Sequence, residues 1–320
     1  MPESVPPRGA RRPRYAYLGP EGTFAEAALH QVPGTDQADL LAMNSVDAAL
    51  EAVREAEADA AMVPIENSVE GGVSATLDAL ADGEPLVVVR EELVPVTFHL
   101  VARPGLSLED VSRLATHPHA QAQCRAWLHK HLPKAVLLPA LSTAAAAAGL
   151  LDDEAHYDAA LCAPIAARRY GLPVLAPDVG DNPNAVTRFV LVAPPGPLPP
   201  PSGADRTTLV AFLADDHPGA LLELLEQFAV RGVNLTRLES RPTGEVLGRY
   251  CMSIDAEGHI AEERMAEALK GLHRVCPKVR FLGSYPRADG GRAAVRAENT
   301  DEAFLDAERW VNDLREGEHR

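Results

Sequence analysis

Between residues 15 and 171, short apolar runs alternate with alanine-rich stretches whose apolar positions recur every three to four residues. The pairs are "YAYLG" then "FAEAALHQV", "AAMVPIE" then "SATLDALAD", "SRLATH" then "HAQAQCRAWLHKHL", "AVLLPA" then "STAAAAAGLL", and "AALCA" then "PIAARRYG". A short apolar run reads as a buried strand and the 3.6-residue recurrence as a helix. Strand followed by helix, repeated, predicts an α/β unit whose largely parallel sheet is covered on both faces. The stretch "LVVVREELVPVTFHLVARPG" breaks the rhythm: two extended runs without helical period predict a passage of the chain into a second lobe, with a cleft between the lobes. "DNPNAVTRFVLV", residues 181–192, returns as a late strand. Side chains alternate faces along a strand, so Thr187 and Phe189 share one face there and Arg188 takes the other.

Residues 193–205, "APPGPLPPPSGAD", carry six prolines in thirteen positions. Such a run favours an extended polyproline conformation and cannot join a sheet ladder, so it reads as a spacer between folded units. Beyond it the pattern predicts a strand at 207–213, a helix at 218–230, strands at 234–240 and 249–255, a helix at 261–274 and a strand at 279–284. That is βαββαβ in about 80 residues, the split βαβ or ferredoxin-like plan. The tail is polar as far as Thr300, a helix cap, after which Ala303, Phe304, Ala307, Trp310, Val311 and Leu314 fall at helical spacing. The expected division is a disordered arm at 1–14, a two-lobed body at 15–192, the linker at 193–205, a small α/β domain at 206–285 and a tail at 286–320.

The formal net charge of −16 excludes the basic footprint of a nucleic-acid binder and argues against adhesion to an anionic membrane. It also requires that any anionic substrate be held by local donors against the global field. Cys124, Cys162, Cys251 and Cys276 lack the paired spacing of a zinc or redox site and read as reduced packing thiols of a cytoplasmic protein. No apolar run reaches the ~18 residues of a membrane span.

Four strand-to-helix junctions in the body share one character: "LGPEGTF", "PIENSVEGGVSATL", "ATHPHAQAQC" and "LSTAA" each set glycines, hydroxyls or an amide ahead of a helix. Helix starts expose unpaired N–H groups and a partial positive charge, and in open α/β sheets they gather at the carboxyl ends of the strands, where ligands bind. The reading is a small carboxylate-bearing molecule cradled by backbone donors and hydroxyls. There is no metal-ligand constellation, nucleophile elbow, phosphate loop or dinucleotide fingerprint, so the expected chemistry is free of metal and cofactor. Either a reaction on such an anion or plain binding of it fits these residues.

"YLGPEGTF", "VPIENSVEGG", "THPHAQAQC" and the "TRF" of Thr187 to Phe189, followed by "GALL" at Gly219 to Leu222 and "ESRP" at Glu239 to Pro242, resemble the monofunctional prephenate dehydratase family in order and register. The resemblance covers residues 15–285; no chorismate mutase segment precedes Tyr15. It implies a two-lobed catalytic domain like a type II periplasmic binding protein, followed by an ACT domain. The implied reaction turns prephenate, or the related arogenate, into an aromatic product with loss of carbon dioxide and water. Phenylalanine is the implied effector, and a homodimer or homotetramer the implied assembly.

By that resemblance Thr187 is the donor at the departing hydroxyl, with Glu66 and His117 as further catalytic candidates. Thr23, Asn67, Ser68, Thr116, Gln123 and Phe189 are carried over as substrate-binding positions. Arg188 is carried with them, and the strand argument leaves it either contacting a carboxylate or in a salt bridge behind the site. Gly219, Ala220, Leu221, Leu222, Asn234, Glu239, Ser240, Arg241 and Pro242 are the implied effector site. One departure stands out: Leu141 precedes the "ST" pair where some relatives carry an acid.

Overall fold

The computed structural model describes residues 11–213, 217–244 and 249–317. The first ten residues of the expected N-terminal arm lie outside the described residues. The chain forms two compact units, one of Met1–Thr76 with Glu92–Leu191 and one of Leu77–Glu91 with Val192–Arg320.

Up to the linker the elements are β1 (Arg14–Leu18), α1 (Phe24–Leu29), β2 (Asp39–Met43), α2 (Val46–Arg54), β3 (Ala60–Asn67), β4 (Gly71–Gly72), α3 (Ser74–Ala81), β5 (Val87–Pro95) and β6 (His99–Ala102). They continue as β7 (Arg113–Thr116), α4 (Pro118–Gln123), α5 (Arg125–His131), β8 (Val136–Pro139), α6 (Thr143–Gly149), β9 (Ala159–Cys162), α7 (Pro164–Arg169), β10 (Val174–Ala176) and β11 (Val186–Ala193). The strand-helix pairs read from the sequence are all present. Four elements are additional to that reading: β10, the edge strand β2, the two-residue β4, and α2, capped by Ser45 and burying Val46, Ala49, Leu50 and Val53.

These strands form two sheets. One runs β2-β1-β3-β11-β5, with β4 paired to β3; the other runs β10-β6-β9-β7-β8. This is an α/β architecture built on two separate sheets. β1 is parallel to both β2 and β3, and β7 is parallel to β8 and β9. The largely parallel expectation fails in the second sheet, where β6 is antiparallel to β9 and β10 to β6. β6 enters this sheet from β5 of the other one over three residues. Coverage of both faces does hold in this sheet: Leu100, Leu114 and Leu161 pack into one apolar cluster, and their neighbours Val101, Ala115, Ala160 and Cys162 into another.

The chain leaves the first sheet through 96–98 and returns through 177–185. The two passages are bonded to each other, Val96 N donating to Ala185 O at 2.7 Å and Val179 N to Phe98 O at 2.9 Å. Asp181 fixes the return passage by accepting from the backbone N–H groups of Ala126 and Trp127 at the start of α5.

The second unit contains β12 (Asp205–Phe212), α8 (Ala220–Ala229), β13 (Leu235–Pro242), β14 (Tyr250–Glu257), α9 (Glu263–Val275), β15 (Lys278–Pro286) and α10 (Asp301–Glu316). The βαββαβ order matches the sequence reading, as does the final helix, whose N-cap Thr300 accepts from Ala303 N. The sheet runs β13-β14-β12-β15 with each adjacent pair antiparallel. Leu209, Ala211, Ile254 and Ala256 pack against Leu224 and Phe228 of α8 and Met265 and Leu272 of α9. Among the described residues no helix is long and apolar enough to cross a membrane.

Within this unit a charged pair is buried. Asp255, fully buried, accepts from Arg237 Nε at 2.9 Å, Arg237 Nη2 at 3.1 Å and the Thr208 hydroxyl at 2.8 Å. Replacing Asp255 by alanine strands the Arg237 guanidinium without its counter-charge, which costs about 3–5 kcal/mol. Equilibrium urea unfolding of Asp255→Ala measures this loss; a loss under about 1 kcal/mol would show that the pair is dispensable.

Candidate active site

A cavity of about 790 Å³ in the first unit is lined from both sheets. Its walls come from the β1–α1 and β3–β4 turns, the passage at Val96 and Phe98, the start and outer face of α4, the β8–α6 turn and β11. The strand alternation expected of β11 is observed: Thr187 and Phe189 face the cavity, whereas Arg188 does not line it. Arg188 is 5% exposed and donates through Nε to Glu66 Oε2 at 3.1 Å. Glu66 also stands outside the lining, because it alternates with Asn67 on β3.

Thr187 is paired across the sheet with a residue 120 positions earlier. Asn67 Nδ2 donates to Thr187 Oγ1 at 2.8 Å. The direction of this bond follows from the other end of the amide, since Asn67 Oδ1 accepts the backbone N–H groups of Val69 at 2.8 Å and Glu70 at 3.2 Å. An amide oxygen so engaged leaves only the NH₂ end to face Thr187. The threonine oxygen therefore accepts, and its own proton remains available to a group in the cavity. Ser68 holds this pairing in register: its backbone N–H donates to Val186 O and its hydroxyl accepts from Val186 N, each at 2.9 Å. Ser68 itself is not in the lining.

The hydroxyls at the helix starts are engaged locally. Thr23 lines the cavity, but its hydroxyl donates to Leu18 O at 2.9 Å and accepts from Glu26 N as the α1 cap. Ser142 likewise lines the cavity and accepts from Ala145 N as the cap of α6. Thr116 is 1% exposed, donates to Leu161 O and lies behind the wall. Gly22, at φ 86°, sits so close to α7 that a Cβ there would meet Ala166 Cβ at 3.1 Å, which explains a glycine in the "GPEGTF" turn.

His117 is the α4 cap, and its Nδ1 accepts from His119 N at 3.3 Å. That bond assigns the proton of the neutral ring to Nε2. Burial first, and the neighbouring His119 ring second, hold the His117 pKa below its ordinary value. Gln123 lines the cavity and donates to Glu70 Oε1 at 3.3 Å; Glu70 also meets His119 Nδ1 at 3.0 Å.

Sequence reasoning missed Glu70 and Asn44, together with the aromatic wall of Phe24 and Phe98, whose rings meet edge to face at 5.7 Å. The i, i+4 spacing of His119 and Gln123 on α4 is the sequence signal that points to a shared cavity-facing row. Leu141 lies at the mouth, 96% exposed. Among the described residues no lysine or arginine lines the cavity, and no group of three or more metal-ligating side chains lies together.

In the second unit the expected effector residues fall in two places. Gly219, at φ 102°, caps α8, with Ala220, Leu221 and Leu222 in its first turn. Glu239, Ser240, Arg241 and Pro242 lie on the edge strand β13, and Asn234 just before it donates to Glu257 Oε2 at 3.1 Å. A cavity of about 20 Å³ at the start of α8 is lined by Ala220 and by none of the other eight. Arg241 is committed to a two-pronged bond with Asp78, at 2.8 and 2.7 Å.

The family profile for prephenate dehydratase matches residues 15–196, and that for the ACT domain residues 207–274. A prephenate dehydratase of Amycolatopsis methanolica is 49% identical over 306 residues, 95% of this chain and 99% of that one. The crystal structure of a prephenate dehydratase from Arthrobacter aurescens in complex with L-Phe superposes with a TM-score of 0.91 at 59% identity, covering 95% of this chain and 99% of that one. A structure described as GqqA, a novel type of quorum-quenching acylase, gives a TM-score of 0.76 at 32% identity over 85% of this chain and 97% of that one. A cavity with an oriented hydroxyl on a "TRF" strand, and matches running almost end to end, lead to one assignment: the chain belongs to the prephenate dehydratase family, as a lyase with a C-terminal ACT domain.

Proposed function

We propose that the cavity binds prephenate and converts it to phenylpyruvate, a step of phenylalanine formation, with Thr187 as the donor to the departing ring hydroxyl. The observation that carries this reading is the Asn67–Thr187 bond, which frees the threonine proton for the substrate. In the reaction the bond from the ring to its carboxylate breaks and its electron pair enters the ring. The bond to the ring hydroxyl then breaks towards oxygen, which takes up one proton and leaves as water. Aromatisation drives the change, so the protein has chiefly to bind the dianion and stabilise charge at the departing oxygen.

A threonine hydroxyl is too weak an acid to be the final proton source at neutral pH, so its part is that of a positioned hydrogen-bond donor, with water replenishing the proton. Its polarity is raised by the hydrogen bond it accepts from Asn67. The His117 Nε2–H supplies a second, neutral donor on the same cavity. Phe24, Phe98 and Phe189 provide the apolar surface for the ring. An acylase chemistry would need Thr187 as a nucleophile relieved of its proton by a base, whereas the group bonded to it here is an amide donor.

We place the effector, phenylalanine, at the start of α8, where a non-glycine residue cannot take the backbone angle of Gly219 without strain. A second copy of β13 completes that site, which is why Asn234 and Glu239–Pro242 stand apart from the α8 cavity within one chain. The L-Phe complex of the Arthrobacter aurescens relative supports phenylalanine as the effector.

Thr187→Val keeps the shape and removes the donor. Its kcat for prephenate, followed at pH 8 by phenylpyruvate enolate absorbance, falls by about a hundredfold. Near-full turnover would make Thr187 a structural residue.

The depressed pKa of His117 leaves its ring neutral at all pH values above the ordinary histidine range. The neutral form therefore predominates at neutral pH, and kcat holds level from pH ~7 to ~8.5. A fall of kcat over that range that is abolished in His117→Gln would instead make the imidazolium the acid.

Gly219→Ala leaves turnover intact and removes the response of activity to added L-phenylalanine. A full response in that variant would move the effector elsewhere.

A further inference from the structure

Glu70 occupies the turn between β3 and β4, and its carboxylate is held from two sides. His119 Nδ1 lies 3.0 Å from Oε2, and Gln123 Nε2 donates to Oε1 at 3.3 Å. His119 and Gln123 stand four residues apart on one face of α4, and all three side chains line the cavity. An amide donor and an ion-pairing imidazole, set against the two oxygens of a single carboxylate, make a carboxylate receptor. Here the carboxylate in it is the protein's own.

No other group in the lining is as well suited to a substrate carboxylate. Among the described residues no lysine or arginine lines the cavity, and the charged form of His117 is disfavoured by burial. The chain as a whole repels a dianion, at a formal net charge of −16. Nor is the Glu70 contact needed to bridge the two sheets. Arg169, at the end of α7, bonds Glu26 at 2.7 Å and also pairs with Glu21, while the Tyr170 hydroxyl donates to Glu21 O at 2.9 Å.

We propose that Glu70 is a resident stand-in for the substrate: the side-chain carboxylate of the bound anion takes over His119 and Gln123, and Glu70 turns out into solvent. This rests on the dehydratase reading of the cavity. Glu70 is already 42% exposed, so its release requires no unpacking. The receptor suits the side-chain carboxylate rather than the one lost as carbon dioxide, because a firm hold on the departing group in the ground state would slow its loss. Glu70 thereby sets substrate affinity by competition, which makes it a specificity-determining residue outside the reacting atoms.

The test is steady-state kinetics of the full chain with prephenate, comparing wild type with Glu70→Ala, Glu70→Gln, His119→Ala and the double variant Glu70→Ala/His119→Ala. Glu70→Ala lowers KM by about threefold, the worth of an exposed ion pair given up on binding. Glu70→Gln, which keeps the size and drops the charge, moves KM the same way and guards against a folding defect in the alanine variant. His119→Ala raises KM, and in that background removing Glu70 brings no further gain, the non-additivity expected of groups that share one partner. An unchanged or raised KM in both Glu70 variants would overturn the proposal. So would the same threefold gain in the His119→Ala background, which would mean general repulsion rather than competition. A wild-type chain inactive on prephenate overturns the functional reading itself, and this one with it.

Discussion

The site depends on one hydrogen bond, from the Asn67 amide to the Thr187 hydroxyl. A threonine on a strand can rotate its hydroxyl among several partners, and only a committed acceptor role directs its proton to a ligand. That commitment is enforced from behind, because Asn67 Oδ1 is occupied by two backbone N–H groups of its own turn. The turn is in turn pinned to β11 by the paired bonds of Ser68 with Val186. The position of β11 beside β3 in the sheet makes all of this possible, since it brings together residues 120 apart in the chain. The last strand of the catalytic unit is therefore the one that completes the site.

A second constraint is charge. A dianionic substrate entering a protein with a formal net charge of −16 needs donors, yet among the described residues no lysine or arginine lines the cavity. Amides, imidazoles and hydroxyls line it instead. For an elimination that must release a carboxylate as carbon dioxide this is chemically apt, because an arginine gripping the departing group would stabilise the reactant more than the transition state. Arg188, the conspicuous charge in the "TRF" run, is turned away and neutralised by Glu66.

Much of this arrangement was legible in the sequence. Period-two alternation placed Thr187 and Phe189 on one face and Arg188 on the other, and the strand-helix rhythm and the βαββαβ pattern gave both domains their fold class. The antiparallel β6 was not legible, because periodicity carries no strand direction. Nor was the grouping of Leu77–Glu91 with the second unit, which no composition shift marks. The helix starts were read as ligand cradles, but Thr23 and Ser142 spend their hydroxyls as caps of short helices, a competition invisible before the backbone is known. Glu70 and Phe98 escaped for another reason: they stand on a turn and a passage, where no period exists to assign a face.

The central claim is the direction of the hydrogen bond at Thr187, and Asn67→Asp tests it most directly. Aspartate keeps the oxygen that accepts from Val69 and Glu70, so the turn persists, but it faces Thr187 with an acceptor and draws the threonine proton away from the cavity. Steady-state kcat of this variant should fall by about as much as that of a chain lacking the hydroxyl, roughly a hundredfold, with far-UV circular dichroism unchanged. Wild-type turnover in Asn67→Asp would contradict the account, since the reaction would then proceed with the threonine proton pointing the wrong way.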